Sequence, residues 1–442
     1  MTDIFLHEGQ AEIYRDLFLE RRCRMATAAC ARGWGKSYFA AVAALTAVHE
    51  LMELPSNVPN KNVYIIAPTY DQVVEIYYPL LQYELGLEEQ GIKPQDSGKF
   101  YFPNNVQLRL LSFEAIARMR GKGAYFVVND EVSSWTKTPG FKAAWEGIIQ
   151  PCIVTRWSPK NAARFGAKSP GRALTISTTK GYNFLHTMFN MPEKDPAWRS
   201  YHYDYKSSPY LDQDEIERIK STIDPIEFAS EYLAQFKDSG NNVFYCFDRK
   251  IHVRSDIPEF LPGEDVHIGI DFNVGLQCSS AFGLRGKQIH YLDEFKGHPD
   301  TEQLAIAIKG RYPNNKIIVY PDPTGNARKT SSPVGRTDFT ILRGFGFEIR
   351  ARSRSPGVID SVNCVNRQLM TANGKVNMFF HPRVVGTITS MERTKWVDRN
   401  PDTATIDKSE NLEHFSDNVR YSTEYLYPIL GTEKKVYRGN TF

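Results

Sequence analysis

Two groups of residues have types and spacings suited to chemistry. The first is the run Cys30-Ala31-Arg32-Gly33-Trp34-Gly35-Lys36-Ser37. It matches the phosphate-loop pattern G-x-x-x-x-G-K-[ST], except that Cys30 stands at the first Gly. Gly33 and Gly35 let backbone N–H groups turn toward phosphate oxygens at the N-terminus of the following helix. Lys36 offers a point charge to the β- and γ-phosphates, and the Ser37 hydroxyl can reach Mg²⁺. Further on, Tyr125-Phe126-Val127-Val128-Asn129-Asp130-Glu131 reads as an apolar strand ending in two carboxylates. Asp130 is expected to bind Mg²⁺ through water and Glu131 to polarise the attacking water. Asn129 departs from the apolar residue usual there. The plain alternatives are a helix start that happens to spell GKS and an acid pair making surface contacts. Together the two motifs favour ATP binding and hydrolysis. Arg32 can lie against the phosphates. Arg118 and Arg120 can either insert as a finger into a neighbouring subunit's pocket or form a solvated basic turn.

The second group is acidic. Asp271 ends the run Val266-His267-Ile268-Gly269-Ile270, and Asp322 ends Lys316-Ile317-Ile318-Val319-Tyr320-Pro321. Alternation places Val266, Ile268 and Ile270 on one face and His267, Gly269 and Asp271 on the other. Asp417 lies in a helical stretch, 412–421, whose buried stripe is Leu412, Phe415 and Val419. Glu410, His414 and Asp417 share another face at helical spacing. Three converging carboxylates can hold two divalent metals about 4 Å apart, one activating water and one stabilising the leaving oxygen. Hard oxygen ligands suit Mg²⁺ or Mn²⁺. Singly, each Asp reads equally well as a surface carboxylate. His414, Asp293 and Glu294 are weaker candidates for supporting roles.

The elements that must position these groups follow an α/β pattern. Strand-like runs at Met25–Cys30, 63–67, 124–128 and 173–177 alternate with helical stretches at 38–51 and 72–83, which argues for a mainly parallel sheet. Residues 211–220 and 225–236 read as two short helices before Ser239-Gly240-Asn241-Asn242 breaks the chain. A second pattern then begins, with strands at Val266–Asp271, 279–284, 288–295 and 316–320, and helices at 301–309 and 412–421. Three meandering strands, a helix and a further strand are the order of an RNase H-like domain. The expected organisation is residues 1–205 as a P-loop ATPase domain, 206–242 as a helical lid and linker, and 243–442 as an RNase H-like α/β domain with a tail.

Composition bounds what surrounds these sites. The 442 residues carry 54 Lys+Arg against 51 Asp+Glu, a net charge of +3, with 41% apolar and 12% aromatic residues. That supports sizeable cores and about two or three domains, and excludes a disordered chain or a polybasic-tail protein. The six cysteines lack CxxC or CxxH spacing and read as reduced buried thiols. No run approaches the roughly 20 apolar residues of a membrane span, and no signal peptide is expected. Six basic residues (156, 160, 164, 168, 172, 180) occur between Arg156 and Lys180 without an acid. Pro159, Gly166, Pro170 and Gly171 there predict a mobile basic loop rather than a helix. A second cluster (328, 329, 336, 343, 350, 352, 354) contains only Asp338 and Glu348 as acids. Either is a candidate for sequence-independent phosphate contact or a solvated face.

In order along the chain, these motifs resemble the large terminase subunit of tailed bacteriophages. Gln10 stands where that family has an adenine-contacting Gln, and the loop carries the variant form with Arg32. Ile66-Ala67-Pro68-Thr69-Tyr70 resembles the second ATPase motif, and Asp130-Glu131 the acidic one. Ile176-Ser177-Thr178-Thr179-Lys180-Gly181 resembles the coupling motif, and FASEYL at 228–233 the helix before the nuclease domain. The resemblance implies an ATP-driven motor that packages double-stranded DNA into a procapsid, and a nuclease on Asp271, Asp322 and Asp417 that cuts concatemers. It implies ATP with Mg²⁺ at one site, two Mg²⁺ or Mn²⁺ at the other, and cofactor contacts from Gln10 through Ser177, Thr178 and Thr179. Hydrogen bonds from those hydroxyls to the γ-phosphate, lost on hydrolysis, would make a two-state switch. The implied partners are the portal protein, a small terminase subunit and further copies of the chain in a ring, with a solution monomer left open. The implied location is the host cytoplasm, docked on the procapsid and not in a membrane. The tail, 433–442, with Lys434, Lys435 and Arg438, is a candidate docking segment. A repair-type helicase–nuclease and a non-catalytic DNA-binding assembly factor are the rivals. The first should carry further helicase motifs, which are not found, and the intact Lys36, Asp130, Glu131 and three acids argue against the second.

Overall fold

The computed structural model describes residues 4–429, apart from 96–97, 136–139, 238–239, 273–276, 327–335, 399–402 and 410–411. Arg328, Lys329, Glu410 and the tail 433–442 therefore lie outside the described residues. The chain divides into two compact units, 1–217 with 226–238 and 218–225 with 239–442. The stretch 206–242 is thus shared between the units.

In the first unit eight described strands form one sheet: β1 (Met25–Cys30), β2 (Asn62–Ala67), β3 (Pro94–Gln95), β4 (Lys99–Phe102), β5 (Val106–Ser112), β6 (Phe126–Asp130), β7 (Arg172–Ser177) and β8 (Trp198–Tyr203). Their order is β3-β4-β5-β2-β6-β7-β1-β8, parallel from β5 to β8 and antiparallel only at the β3–β4 edge. β1, β2, β6 and β7 are buried along their whole length, as strands covered on both faces must be. Helix α1 (Glu8–Tyr14) precedes β1, α2 (Lys36–Met52) follows it, and α3 (Tyr70–Pro79) follows β2. Small side chains at Ala40, Ala43, Ala44 and Ala47 put α2 deep in this core. Because β6, β7 and β1 are parallel neighbours, their C-terminal ends share one sheet edge. This is where an open α/β sheet gathers a site.

One sequence expectation is overturned here. Residues 159–165 form a helix, not a mobile loop. Pro159 sits in the first turn, where no N–H is needed, the Ser158 hydroxyl accepts from the Asn161 N–H at 3.2 Å, and Gly166 closes the helix at φ 69°. The residues taken as helix breakers are its caps. Arg172 also leaves the basic surface. It is 1% exposed, donates to the Leu17 carbonyl at 2.8 Å and pairs with buried Glu50.

The second unit holds a sheet of β9 (Val266–Asp271), β10 (Gln277–Arg285), β11 (Gln288–His298), β12 (Ile317–Pro321), β13 (Glu348–Ile349) and β14 (Met378–Phe380). The order is β13-β12-β9-β10-β11-β14, with β9, β10 and β11 an antiparallel meander and β12 parallel to β9. Val266, Ile268 and Ile270 pack with Leu304, Ala305 and Ile308 of the helix Thr301–Arg311. The opposite face receives the helix Glu413–Leu426, with Phe415 and Val419 buried. Gly269 permits that approach, because a Cβ there would collide with the Asn418 backbone carbonyl. Among the described residues no helix is long and apolar enough to cross a membrane.

Candidate functional site

At the first unit's sheet edge, β1 delivers the phosphate loop, β6 the two acids and β7 the Ser/Thr cluster. Gly35 has φ 90°, a backbone that favours glycine, and caps α2 so that Lys36 and Ser37 open the helix. Buried Gln10 donates to the Gly35 carbonyl at 3.2 Å, so the loop's last turn is tied to α1. Trp34 is wholly buried, stacks on Tyr203 at 4.9 Å and donates to the Ser207 hydroxyl at 3.1 Å. Its side chain is a loop anchor, which leaves only its backbone for phosphate. The Arg32 guanidinium is exposed and lies 3.8 Å from Glu231, while its backbone N–H donates to the Glu231 carbonyl at 2.7 Å.

Lys36 Nζ lies 3.2 Å from Glu131 Oε1 and donates to the Ala31 carbonyl at 3.1 Å. The other Glu131 oxygen accepts from the Ser177 hydroxyl and from the N–H and hydroxyl of Thr178, each at 3.3 Å. Glu131 itself has φ 48°, a strained conformation for a non-glycine residue that turns its carboxylate toward the loop. Burial works against its ionised form, but Lys36 and the Thr178 N–H outweigh this and hold its carboxyl below the usual range. Asp130 is the reverse: burial, and then the neighbouring Glu131 charge, raise it to about 7. Its Oδ2 accepts from the Tyr77 phenol at 2.7 Å, whereas its Oδ1 is buried with no hydrogen-bond partner among the described residues. Thr179 faces elsewhere, donating to the Ser230 and Gln235 carbonyls at 3.2 and 2.7 Å, at the end of the helix Pro225–Glu231. Arg118 and Arg120 are exposed at the end of the turn Phe113–Met119.

In the second unit, the register pairs Pro321 with Ile270, and the Asp322 N–H donates to the Ile270 carbonyl at 3.0 Å. Asp271 and Asp322 therefore leave one edge side by side. The helix Glu413–Leu426 brings Asp417 to the same place: the half-buried Tyr421 phenol feels the charges of Asp417, Asp322 and Asp271 together. Asp417 is raised by burial and by Asp271, although Arg420 lies 3.4 Å away. His414 Nδ1 is 3.2 Å from Asp271 Oδ2, and this contact raises the imidazole. Among the described residues no three His, Cys, Asp or Glu side chains are already closed into a metal cage. The oxygen set still suits a hard cation: Glu413 Oε2 is buried without a hydrogen-bond partner among the described residues, and Asp417 Oδ1 has only the Arg420 guanidinium at 3.4 Å.

Other candidates have structural work. Asp293 accepts from Arg311 and Tyr312 at 3.1 and 2.5 Å, and Glu294 caps a helix start at the Gly386 and Thr387 N–H groups, both at 2.9 Å. In the second basic cluster, Arg336, Arg350 and Arg352 are paired with Glu302, Glu348 and Glu424. Sequence reasoning missed Tyr77 and Glu413. Tyr77 was readable only as one of the buried stripe Val73, Tyr77 and Leu81, and Glu413 only by its four-residue spacing from Asp417.

No protein-family profile matches the chain. The large terminase subunit of Escherichia phage T5 is 25% identical over 240 residues, which is 53% of this chain and 48% of that protein. This chain resembles phage large terminase subunits. It spans about half the length of that curated relative. The large terminase of a thermophilic bacteriophage aligns over 95% of this chain and 99% of its own, with a TM-score of 0.48 and 11% identity. The ATPase domain of the Thermus phage P74-26 large terminase aligns over 53% of this chain and 94% of its own, with a TM-score of 0.40 and 25% identity.

Proposed function

We propose that this chain is a phage DNA-packaging motor, hydrolysing ATP in its first unit to drive double-stranded DNA into a procapsid and cutting concatemeric DNA in its second. The observation that carries this reading is Glu131, held by Lys36 on one oxygen and by Thr178 on the other. Without nucleotide, Lys36 neutralises Glu131. The γ-phosphate of ATP competes for the same ammonium, and Arg32 is exposed to join it. Glu131 is then left as a base aimed by Thr178 at the attacking water. When phosphate leaves, the Lys36–Glu131 pair re-forms. Thr179, next along the chain, grips the end of the helix Pro225–Glu231, so the two pairings of Glu131 bias its position.

Asp130 and Ser37 are the residues that would hold Mg²⁺, and the orphaned, buried Asp130 Oδ1 fits a cation or its water. Mg²⁺ bound there supplies positive charge to the β- and γ-phosphates. Asp271, Asp322 and Asp417 would hold Mg²⁺ or Mn²⁺ in pairs, supplying an activated water and charge on the leaving oxygen. The partners in this reading are DNA, a portal protein, a small terminase subunit and further copies in a ring, with Arg118 or Arg120 as the finger in trans. Packaging is tested with procapsids, DNA and ATP, read as DNA protected from added nuclease. Protection by the parent chain and its loss in Lys36→Ala are expected. A parent chain that neither turns over ATP nor protects DNA overturns the reading.

A further inference from the structure

We infer that Tyr77, on α3, is a positioning residue for the divalent cation of the nucleotide site. The inference rests on the ATPase reading and goes beyond its motifs, none of which includes this residue. Tyr77 is 0% exposed, and its phenol donates to Asp130 Oδ2 at 2.7 Å. The Ser37 hydroxyl interacts with the same phenol. One buried hydroxyl therefore stands between the two side chains that would face the cation, one from the loop and one from β6.

A carboxylate on a short side chain can present either oxygen by rotating about its last torsion. Tyr77 removes that freedom by occupying Oδ2, and Oδ1 is left buried and without a partner among the described residues. An unsatisfied buried acceptor is costly, and a cation or its water relieves the cost. Full burial strengthens the phenol–carboxyl hydrogen bond, because no water competes for either partner. Tyr77 is seated by the neighbours of its own stripe, Val73 and Leu81, against the core of the sheet. The phenol is thus fixed by packing before any ligand arrives, as a group that orients a ligand must be.

The test is binding, with the full chain and a fluorescent ADP analogue titrated at increasing Mg²⁺. Tyr77→Phe keeps the ring and removes the donor. It should raise the Mg²⁺ needed for half-maximal ADP binding by about tenfold. ADP affinity without Mg²⁺ should stay near that of the parent, and the ligand-free melting temperature should fall by a few degrees, because Asp130 Oδ2 loses its buried donor. Tyr77→Met, smaller but flexible enough to fill part of the ring's space and also without a hydroxyl, should give the same shift and serves if the Phe variant does not fold. Asp130→Asn should raise the requirement too, and adding Tyr77→Phe to it should raise it no further, because Tyr77 acts through Asp130. An unchanged Mg²⁺ requirement in both Tyr77 variants overturns the inference, as do effects that multiply with Asp130→Asn. A parent chain that fails to bind ADP at any Mg²⁺ concentration overturns the ATPase reading instead.

Discussion

The two sites are built at the same kind of place, the C-terminal ends of neighbouring parallel strands, yet they are held together differently. In the first unit opposite charges meet: Lys36 lies on Glu131, and hydroxyls and an N–H satisfy what Lys36 leaves. In the second unit acids meet acids, with the His414 imidazole and the Arg420 guanidinium beside them. A site of opposite charges assembles with the fold. In the function proposed above, the first would act as a switch between two sets of partners and the second as a socket for cations.

The largest expected effects separate the two chemistries. Glu131→Gln keeps the shape of the first site and removes its base, so ATP turnover should fall by about 10²–10⁴-fold while plasmid cutting in Mn²⁺ persists. Asp271→Asn should do the opposite, abolishing cutting while ATP turnover stays near the parent value. Steady-state phosphate release and gel-based nicking read the two. If either substitution lowers both activities equally, the two sites are not separate.

A smaller pair of effects tests the charge contrast itself. Lys36→Ala leaves Glu131 half-buried without its cation and should destabilise the first unit by about 1–3 kcal/mol. Asp417→Asn neutralises a carboxylate whose charged form the fold disfavours, and should stabilise the ligand-free second unit. Calorimetry in a chelator gives both. Destabilisation by Asp417→Asn would show that Arg420 already compensates the acids. Smaller again is Thr178→Val, which removes one of three donors to Glu131 Oε2 and keeps the backbone N–H. ATP turnover should drop about tenfold, with ADP affinity unchanged.

What was legible in the sequence follows the same division between local and tertiary causes. β1, β2, β6 and β7 were visible as buried apolar runs, β9 by its alternation, and β10 and β11 by the turn Arg285-Gly286-Lys287 between them. β5 carries Gln107 and Arg109, β8 reads WRSYHY, and neither announces itself without the neighbour it pairs with. The helix Pro159–Phe165 was hidden because Pro and Gly are caps at its ends and breakers inside, and composition cannot tell which. Lys36 stood out by its loop motif at a helix start, and Asp130, Glu131, Asp271 and Asp322 because they end apolar strand runs. Tyr77 and Glu413 did not, because a buried phenol on an apolar stripe looks like core until Asp130 is seen beside it. Arg172 shows the opposite error, a charge counted with the surface that belongs to the core.

The least of the expected effects is a pH dependence confined to the second unit. His267 lies on the β9 face opposite the apolar core, 6% exposed, with Nδ1 2.9 Å from the Tyr320 hydroxyl and Phe282 stacked at 5.4 Å. Burial lowers its imidazole to about 4; of the charges around it, Asp265, Glu348 and Glu264 favour the proton and Arg350 opposes it. A histidine with a lowered folded value is neutral in the fold while the unfolded chain takes up a proton near the ordinary value of about 6.5. Its contribution is therefore complete above about pH 6.5 and is lost as pH falls toward about 4. Between about pH 6.5 and 5.5 the loss is about 1 kcal/mol, or about 2–4 °C in the melting transition of a unit this size. The carboxylates of the chain also titrate, so the informative quantity is the parent minus His267→Gln. Gln keeps a polar group for Tyr320 and cannot protonate, and it should flatten the dependence by that amount. An equal slope in both proteins would mean that His267 titrates alike in the folded and unfolded chain, with the Asp265, Glu348 and Glu264 charges offsetting its burial.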